Sequence, residues 1–470
     1  MVFSSVTFLF LFLPVVYILY MLMPGKKAKN FLLIAASLLF YAWGEQLYVL
    51  LMIGSVLVNW LLGLAISKFY SNRKLITAIA VILNLGMLFA YKYVGFFAEI
   101  FASVTKLDIP EISVHLPIGI SFFTFQILSY VIDVSRDKNS VQRNFFNLLL
   151  YISLFPQLIA GPIVKYHDVM DQLDARKLTA DNISAGVRRF IIGLSKKLLI
   201  ADIMAKVVDE IFALTPDSMS AYCAWIGAVF YIIQIYFDFS SYSDMAIGLG
   251  KMMGFDFKEN FNFPYISSSI GEFWRRWHIS LSTWFREYLY IPLGGNRKGK
   301  ARTYLNLMIV FLFTGLWHGA NFTFVVWGLY NGILIILERA NIIPVNKIKL
   351  GFVRHIYTLL AVIIGFTIFR ADSLSYALDY IRTMFTPSAF TAGIADCSEY
   401  MTPYIVAVFA VACIASLPVT EKVRSFMQSK PATINTIVNA GSYAVALGLL
   451  AVCIFVLASN SYSPFIYFRF

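Results

Sequence analysis

The chain has 470 residues, of which 59% are hydrophobic and only 14% are charged. An ordinary soluble domain is about 45–50% apolar and about 25% charged, so this composition excludes the soluble globular and the disordered classes. The apolar segments lack an alternation of period two, which argues against an outer-membrane barrel. Lys and Arg exceed Asp and Glu, giving a net charge of +12 that must lie outside the lipid.

The apolar segments predict an all-α polytopic membrane protein. A helical span takes about 20 residues, so roughly ten to twelve spans fit this length together with their loops. We expect the whole chain, 1–470, to form one membrane domain. The clearest apolar runs, in chain order, are 6–23, 31–44, 47–66, 75–91, 116–134, 221–237, 303–317, 322–338, 355–369, 402–418 and 436–459.

The middle of the chain is less regular. Residues 147–164 carry Pro156, Gly161 and Pro162, which predict a broken or re-entrant helix. Amphipathic helices are predicted at 183–205 and 373–385, and a polar loop at 387–400. The four cysteines are scattered without metal-type spacing, and we interpret them as small core residues.

Basic residues predict the orientation. Lys26, Lys27 and Lys29 follow the first apolar run, which is the wrong polarity for a cleaved signal peptide. The positive-inside rule then places the N-terminus outside and these lysines in the cytoplasm. Later basic clusters fall on the same side, so the C-terminus is also expected outside.

Residues 270–291 predict one helix that is both basic and aromatic. Ser269 and Glu272 have the spacing of a capping box at its start. An aromatic stripe occupies one face, and Arg275 and Arg276 lie on another. Such a helix can lie at the membrane interface, or it can line a cytoplasmic entrance for an anionic donor. Further basic residues that can bind donor phosphates follow the helix: Arg297, Lys298 and Lys300.

His318 lies between two apolar runs without a long polar loop. An ionisable residue inside a membrane domain is a functional candidate. A structural role, a proton relay and acid–base catalysis all remain open from the spacing alone. His278, on the basic aromatic helix, is a second candidate, and Asp238 and Asp244 are interpreted as partners of buried cations or helix caps. The five histidines lack zinc-site spacing.

Several stretches resemble the membrane-bound O-acyltransferase family, in particular the bacterial branch that contains the alginate O-acetyltransferase membrane subunit. They run in order over most of the chain: 154–163, 236–244, 260–265, 272–278, 290–297, 315–321 and 465–470.

The resemblance implies that His318 matches the family's catalytic histidine and His278 its second histidine. It also implies re-entrant helices around a central funnel or tunnel, in which a cytoplasmic acyl thioester meets an acceptor. Trp274, Trp277, Trp317 and Asn321 are candidates to shape that tunnel. We expect the two histidines to lie at different depths, with His278 on the basic cytoplasmic side.

The resemblance further implies an O-acyltransferase of the bacterial inner membrane that serves O-acetylation of an extracytoplasmic polysaccharide such as alginate. Acetyl-CoA is the expected donor, an acyl carrier protein is the alternative, and no tightly bound cofactor is expected. A secreted SGNH-hydrolase-like protein and membrane lipids are the expected partners, and nucleic acid is not. D-alanyl transfer to teichoic acid and a transporter without acyl transfer remain as rival functions.

Overall fold

The computed structural model describes residues 1–459 except 109, 111, 113, 388–396, 429 and 431, together with residue 465. Within these residues the regular structure is entirely helical, as the sequence predicts. Six helices are long and apolar enough to cross a membrane: Tyr48–Lys68, Tyr70–Lys92, Ala221–Met252, Phe322–Arg339, Gly351–Arg370 and Val438–Ser459. Shorter apolar helices occupy Phe8–Leu22, Val94–Thr105 and Pro403–Ala415.

The chain divides into two compact units, Met1–Phe190 with Ser243–Glu259, and Ile191–Tyr242 with Asn260–Phe470. The expectation of a single membrane domain therefore stays a prediction. Besides the helices already given, the first unit contains Gly25–Glu45, Ile120–Arg136, Phe145–Ser153, Phe155–Leu158, Tyr166–Ala175 and most of Ala180–Lys196. The second contains Asp202–Phe212, Ile270–Arg276, Ile279–Phe285, Gly299–His318, Leu374–Phe385 and Val419–Gln428, and its last helix begins at Ala432.

The predicted break in 147–164 is confirmed in the first unit. Helix Phe145–Ser153 ends, and a short helix, Phe155–Leu158, begins with Pro156 in its first turn, where a missing N–H does no harm. A Cβ on Gly161 would approach the Cα of Gln157 to 2.7 Å, so the chain turns here at a residue that has no side chain. The break is buried within its own unit, as non-helical backbone at membrane depth must be.

The prediction of one continuous helix over 270–291 is wrong. The structure has two helical segments, Ile270–Arg276 and Ile279–Phe285, the second continuing as a π-helix over Arg286–Tyr290. Between them the backbone of His278 adopts a left-handed conformation with φ 44°. The predicted start is correct, because the Ser269 side chain accepts a hydrogen bond from the Glu272 N–H. Aromatic periodicity misled the prediction because the spacing of apolar residues does not reveal a break of two residues within the pattern.

The cysteine interpretation is wrong for one pair. Cys223 and Cys397 form a disulfide, with their Cα atoms 5.5 Å apart and 174 residues between them in sequence. The spacing of cysteines along the chain cannot predict a disulfide between residues so far apart in sequence, because the pairing depends on the fold. The loop predicted at 387–400 lies mostly outside the described residues, apart from a turn at Cys397–Tyr400.

Two helices of the second unit pack unusually closely and carry His318 at the end of one of them. A Cβ on Gly315 would lie 2.3 Å from the carbonyl oxygen of Phe324, and a Cβ on Gly328 would lie 2.3 Å from that of Phe311. These are backbone atoms that cannot move independently of their helices. The glycines therefore set the distance between helices Gly299–His318 and Phe322–Arg339, as small residues do in membrane proteins.

We predict that Gly328→Ala destabilises the protein by about 1–3 kcal/mol, because the new methyl group must push the two helices apart. The matched control is Gly448→Ala on helix Ala432–Ser459, where nothing lies within 4 Å of a new Cβ. Thermal unfolding of both variants in detergent measures the difference. Equal midpoints for the two variants would show that the glycine contact is not needed.

Candidate active site

The candidate site is a histidine pair inside the second unit. The imidazole centroids of His278 and His318 are 6.3 Å apart. His278 is 0% exposed and His318 is 6% exposed. The helix break at 277–278 places His278 inside the protein beside His318. The expectation that the two histidines lie at different membrane depths, with His278 on the cytoplasmic side, stays a prediction.

Aromatic rings surround the pair. Trp317 contacts both imidazoles edge to face, with centroid distances of 5.8 Å to His278 and 5.0 Å to His318. Trp327 and Phe369 pack against His318 at 5.1 and 5.2 Å. Phe239 packs against His278 at 4.6 Å. Rings hold the imidazoles in place and keep the site apolar, which strengthens any electrostatic interaction formed there.

Burial also sets the protonation state of His278. It lowers the pKa of this imidazole to about 3, since a charged ring loses its hydration inside the protein. His278 is therefore neutral near pH 7 and carries one N–H and one lone pair.

The predicted tryptophans join the same cluster. Trp274 lies 5.6 Å from Trp327 between centroids, and its Nε1–H donates to Asn331 Oδ1 at 3.0 Å. Trp277 packs on Phe366 at 5.0 Å. Both rings are buried and pack against the aromatic residues around the histidine pair, whereas Trp317 contacts the two imidazoles directly.

Asn321 caps the helix that follows His318. Its Oδ1 accepts from the Thr323 N–H at the start of helix Phe322–Arg339, and its Nδ2 donates to the Asp372 carbonyl at 3.1 Å. The side chain thus has a structural role and fixes the turn directly after His318. Such an N-cap is worth about 1 kcal/mol.

The predicted basic residues divide into two groups. Arg276 is bound within the protein: its Nε donates to Glu272 at 2.9 Å and its Nη1 donates to the Asn262 carbonyl. The others are exposed, namely Arg275, Arg297, Lys298 and Lys300. The exposed residues can meet an anion from solvent without first losing a partner within the described chain, whereas Arg276 cannot.

The two aspartates interpreted as partners of buried cations or as helix caps both pair with cations, but only the partner of Asp238 is buried. In the second unit, buried Lys197 donates to Asp238 and lies 2.8 Å from Asp202. In the first unit, Arg189 donates to Asp244 at 2.8 Å and also to Glu259. Pairing is expected because an isolated buried charge would cost several kcal/mol.

Asn260 is the main site residue that sequence reasoning missed. It is completely buried, and its side-chain oxygen contacts both His278 and Ser280. The segment 260–265 is one of the stretches that carry the family resemblance, which is the only signal in the sequence that points to it. The polar role of Asn260 depends on the helix break, which the sequence pattern conceals.

Comparison with known proteins agrees with this architecture. The model of the membrane-bound O-acyltransferase family matches residues 87–378. A Pseudomonas putida protein named probable alginate O-acetylase AlgI is 41% identical over the full length of both chains. A Helicobacter pylori peptidoglycan O-acetyltransferase is 37% identical, over 82% of this chain and 80% of its own.

A more distant relative has a name that states a different activity. The Bacillus subtilis teichoic acid D-alanyltransferase is 29% identical over 46% of this chain and 58% of its own. The family model covers more than half of the present sequence and includes His278, His318 and their aromatic neighbours. The chain therefore belongs to the membrane-bound O-acyltransferase family and is a multi-pass membrane O-acyltransferase.

Proposed function

We propose that the protein moves an acetyl group from acetyl-CoA on the cytoplasmic side to serve O-acetylation of an extracytoplasmic polysaccharide. The observation that carries this proposal is the buried His278–His318 pair, in a chain that aligns end to end with a probable alginate O-acetylase. Acetyl transfer is favoured over D-alanyl transfer because the acetylase relative covers the whole chain, whereas the D-alanyltransferase covers less than half. A transporter without acyl transfer is disfavoured, because the chain belongs to a family of acyltransferases.

His318 is the general base in this proposal. It accepts the proton of the acceptor hydroxyl while that oxygen attacks the thioester carbonyl. The C–S bond then breaks, and the departing thiolate takes the proton back from the imidazolium. The net result is an oxygen ester and a free thiol, and His318 returns to its neutral form.

The exposed basic residues Arg297, Lys298 and Lys300 bind the phosphates of the donor, with Arg275 as a further candidate. Guanidinium and ammonium groups form charge-assisted hydrogen bonds with phosphate. Arg297 and Lys298 precede helix Gly299–His318 and Lys300 lies in its first turn, so the proposed donor site is at the opposite end of that helix from His318. A 20-residue helix is about 30 Å long, which suits a donor whose thioester must reach deep into the membrane domain.

The proposed orientation places both termini outside the inner membrane. The Cys223–Cys397 disulfide supports this orientation, because disulfides persist in oxidising compartments and the positive-inside rule puts the segment around 397 outside. The chain has one catalytic centre in this proposal, so a separate SGNH-hydrolase-like protein completes delivery to the polymer.

We predict that His318→Ala reduces acetyl transfer by roughly 10²–10⁴-fold, since the proton of the hydroxyl loses its acceptor. Transfer of labelled acetyl groups from acetyl-CoA by purified, folded protein measures the loss. His115→Gln is the control, because His115 is an exposed histidine of the first unit. A His318→Ala variant that keeps near wild-type turnover would contradict the role of His318.

We also predict that the double variant Arg297→Glu, Lys298→Glu raises the KM for acetyl-CoA by about tenfold, or ~1.4 kcal/mol of donor binding. Turnover at saturating donor should change little. Lys26→Glu, Lys27→Glu is the matched control, since it reverses another exposed basic pair. An equal KM for the two double variants would argue against phosphate binding at 297–298.

The relatives also suggest an acceptor. Proteins named probable alginate O-acetylase are 39–46% identical to this chain, against 37% for the peptidoglycan O-acetyltransferase. We predict that membranes containing this protein and its delivery partner acetylate de-acetylated alginate in preference to peptidoglycan. Incorporation of label into each polymer measures the preference, and a reversed preference would assign the protein to wall modification instead.

A further inference from the structure

Asn260 lies at the centre of a compact group of hydrogen bonds next to His278. Its Oδ1 accepts from the Ser280 backbone N–H at 3.1 Å and from the Ser280 hydroxyl at 2.8 Å. The same oxygen lies 3.2 Å from His278 Nδ1. Both Asn260 and His278 are completely buried, so these contacts are shielded from water.

Asn260 also holds the helix break. Its backbone carbonyl accepts from the Ile279 N–H at 2.9 Å, and the Asn262 N–H donates to the Arg276 carbonyl at 2.9 Å. These bonds connect the segment 260–262 to both sides of the break. They favour the left-handed backbone of His278, a conformation that non-glycine residues rarely adopt.

The orientation of the Asn260 amide follows from the backbone. The Ser280 N–H can only donate, so the atom that it faces must be the carbonyl oxygen of Asn260 and not its NH₂ group. An amide rotated by 180° would place two donors against each other. This fixes Oδ1 as an acceptor beside His278.

The same reasoning fixes the imidazole. Because Oδ1 can only accept, the facing Nδ1 of His278 must carry the proton. Ser280 Oγ, at 3.5 Å from Nδ1, already donates to Asn260 and cannot supply a proton to the ring as well. In a neutral imidazole the lone pair then resides on Nε2.

We propose that Asn260 is a positioning residue that holds His278 in its Nδ1–H tautomer, so that His278 acts through a lone pair on Nε2. The tautomer itself is inferred from the hydrogen bonds, and only the participation of His278 in acyl transfer rests on the proposed function. The consequence is chemical: through Nε2, neutral His278 accepts a hydrogen bond from a reacting hydroxyl or from protonated His318. It cannot use Nε2 to donate a hydrogen bond to the thioester oxygen.

The direct test is nitrogen NMR of the protein in bilayers with ¹⁵N-labelled histidine. The signals of His278 are those that disappear in His278→Gln. We expect the wild-type ring to show a protonated Nδ1 and an unprotonated Nε2. A protonated Nε2 in neutral His278 would overturn the proposal, whether or not acetyl transfer is the correct activity.

Two variants then test the role of the acceptor. Asn260→Leu has a similar volume but no acceptor, so we expect the Nδ1–H preference to be lost and kcat to fall roughly 10²-fold, with a smaller change in the KM for acetyl-CoA. Asn260→Asp keeps an acceptor. It should retain the tautomer, and its carboxylate should raise the pKa of His278, so that the acidic limb of the pH–rate profile moves to higher pH.

The matched controls are Asn262→Leu and Asn262→Asp. Asn262 lies two residues away and is exposed, so neither change should alter the tautomer or the pH profile. If Asn260→Leu matched Asn262→Leu in tautomer and in kcat, Asn260 would not position His278. If Asn260→Leu fails to fold, the wild-type tautomer and the pH profile of Asn260→Asp decide the question.

Discussion

The candidate active site depends on a two-residue break in a helix that could otherwise continue. At Trp277–His278 the backbone leaves the helical conformation, and His278 adopts a positive φ that non-glycine residues avoid. The hydrogen bonds from the segment 260–262 offset the conformational energy of this positive φ. They also satisfy backbone groups that would be costly to leave without a partner in a buried region. The break carries His278 inward, beside Trp317 and His318.

A second constraint, within the same unit, fixes the position of His318. His318 ends a helix that packs tightly against its successor through Gly315 and Gly328. Asn321 fixes the turn between the two helices, and Trp327 and Phe369 cover the imidazole. His318 therefore lies at the end of a helix held by close packing and a capped turn, which is how a reacting group keeps its geometry.

The distribution of charge follows the same physics. Lys197 and Arg189 are buried or half-buried and have carboxylate partners within their own units. Arg297, Lys298 and Lys300 remain exposed, where charge costs little and can attract an anionic donor. The basic residues thus have distinct roles: some form structural ion pairs, and in our proposal others set the membrane orientation or bind the donor.

The amino-acid sequence alone determined the class of this protein. Its apolar composition required membrane helices, the prolines and glycine near 156–162 predicted a broken helix, and the motifs around His278 and His318 indicated the family. Only the tertiary structure decided that one predicted helix is two, that Cys223 meets Cys397, and that the two histidines are neighbours. The physical reason is that helix patterns and basic clusters are local properties of the chain. The position of a break and the partners of Asn260 depend instead on contacts between residues that are distant in sequence.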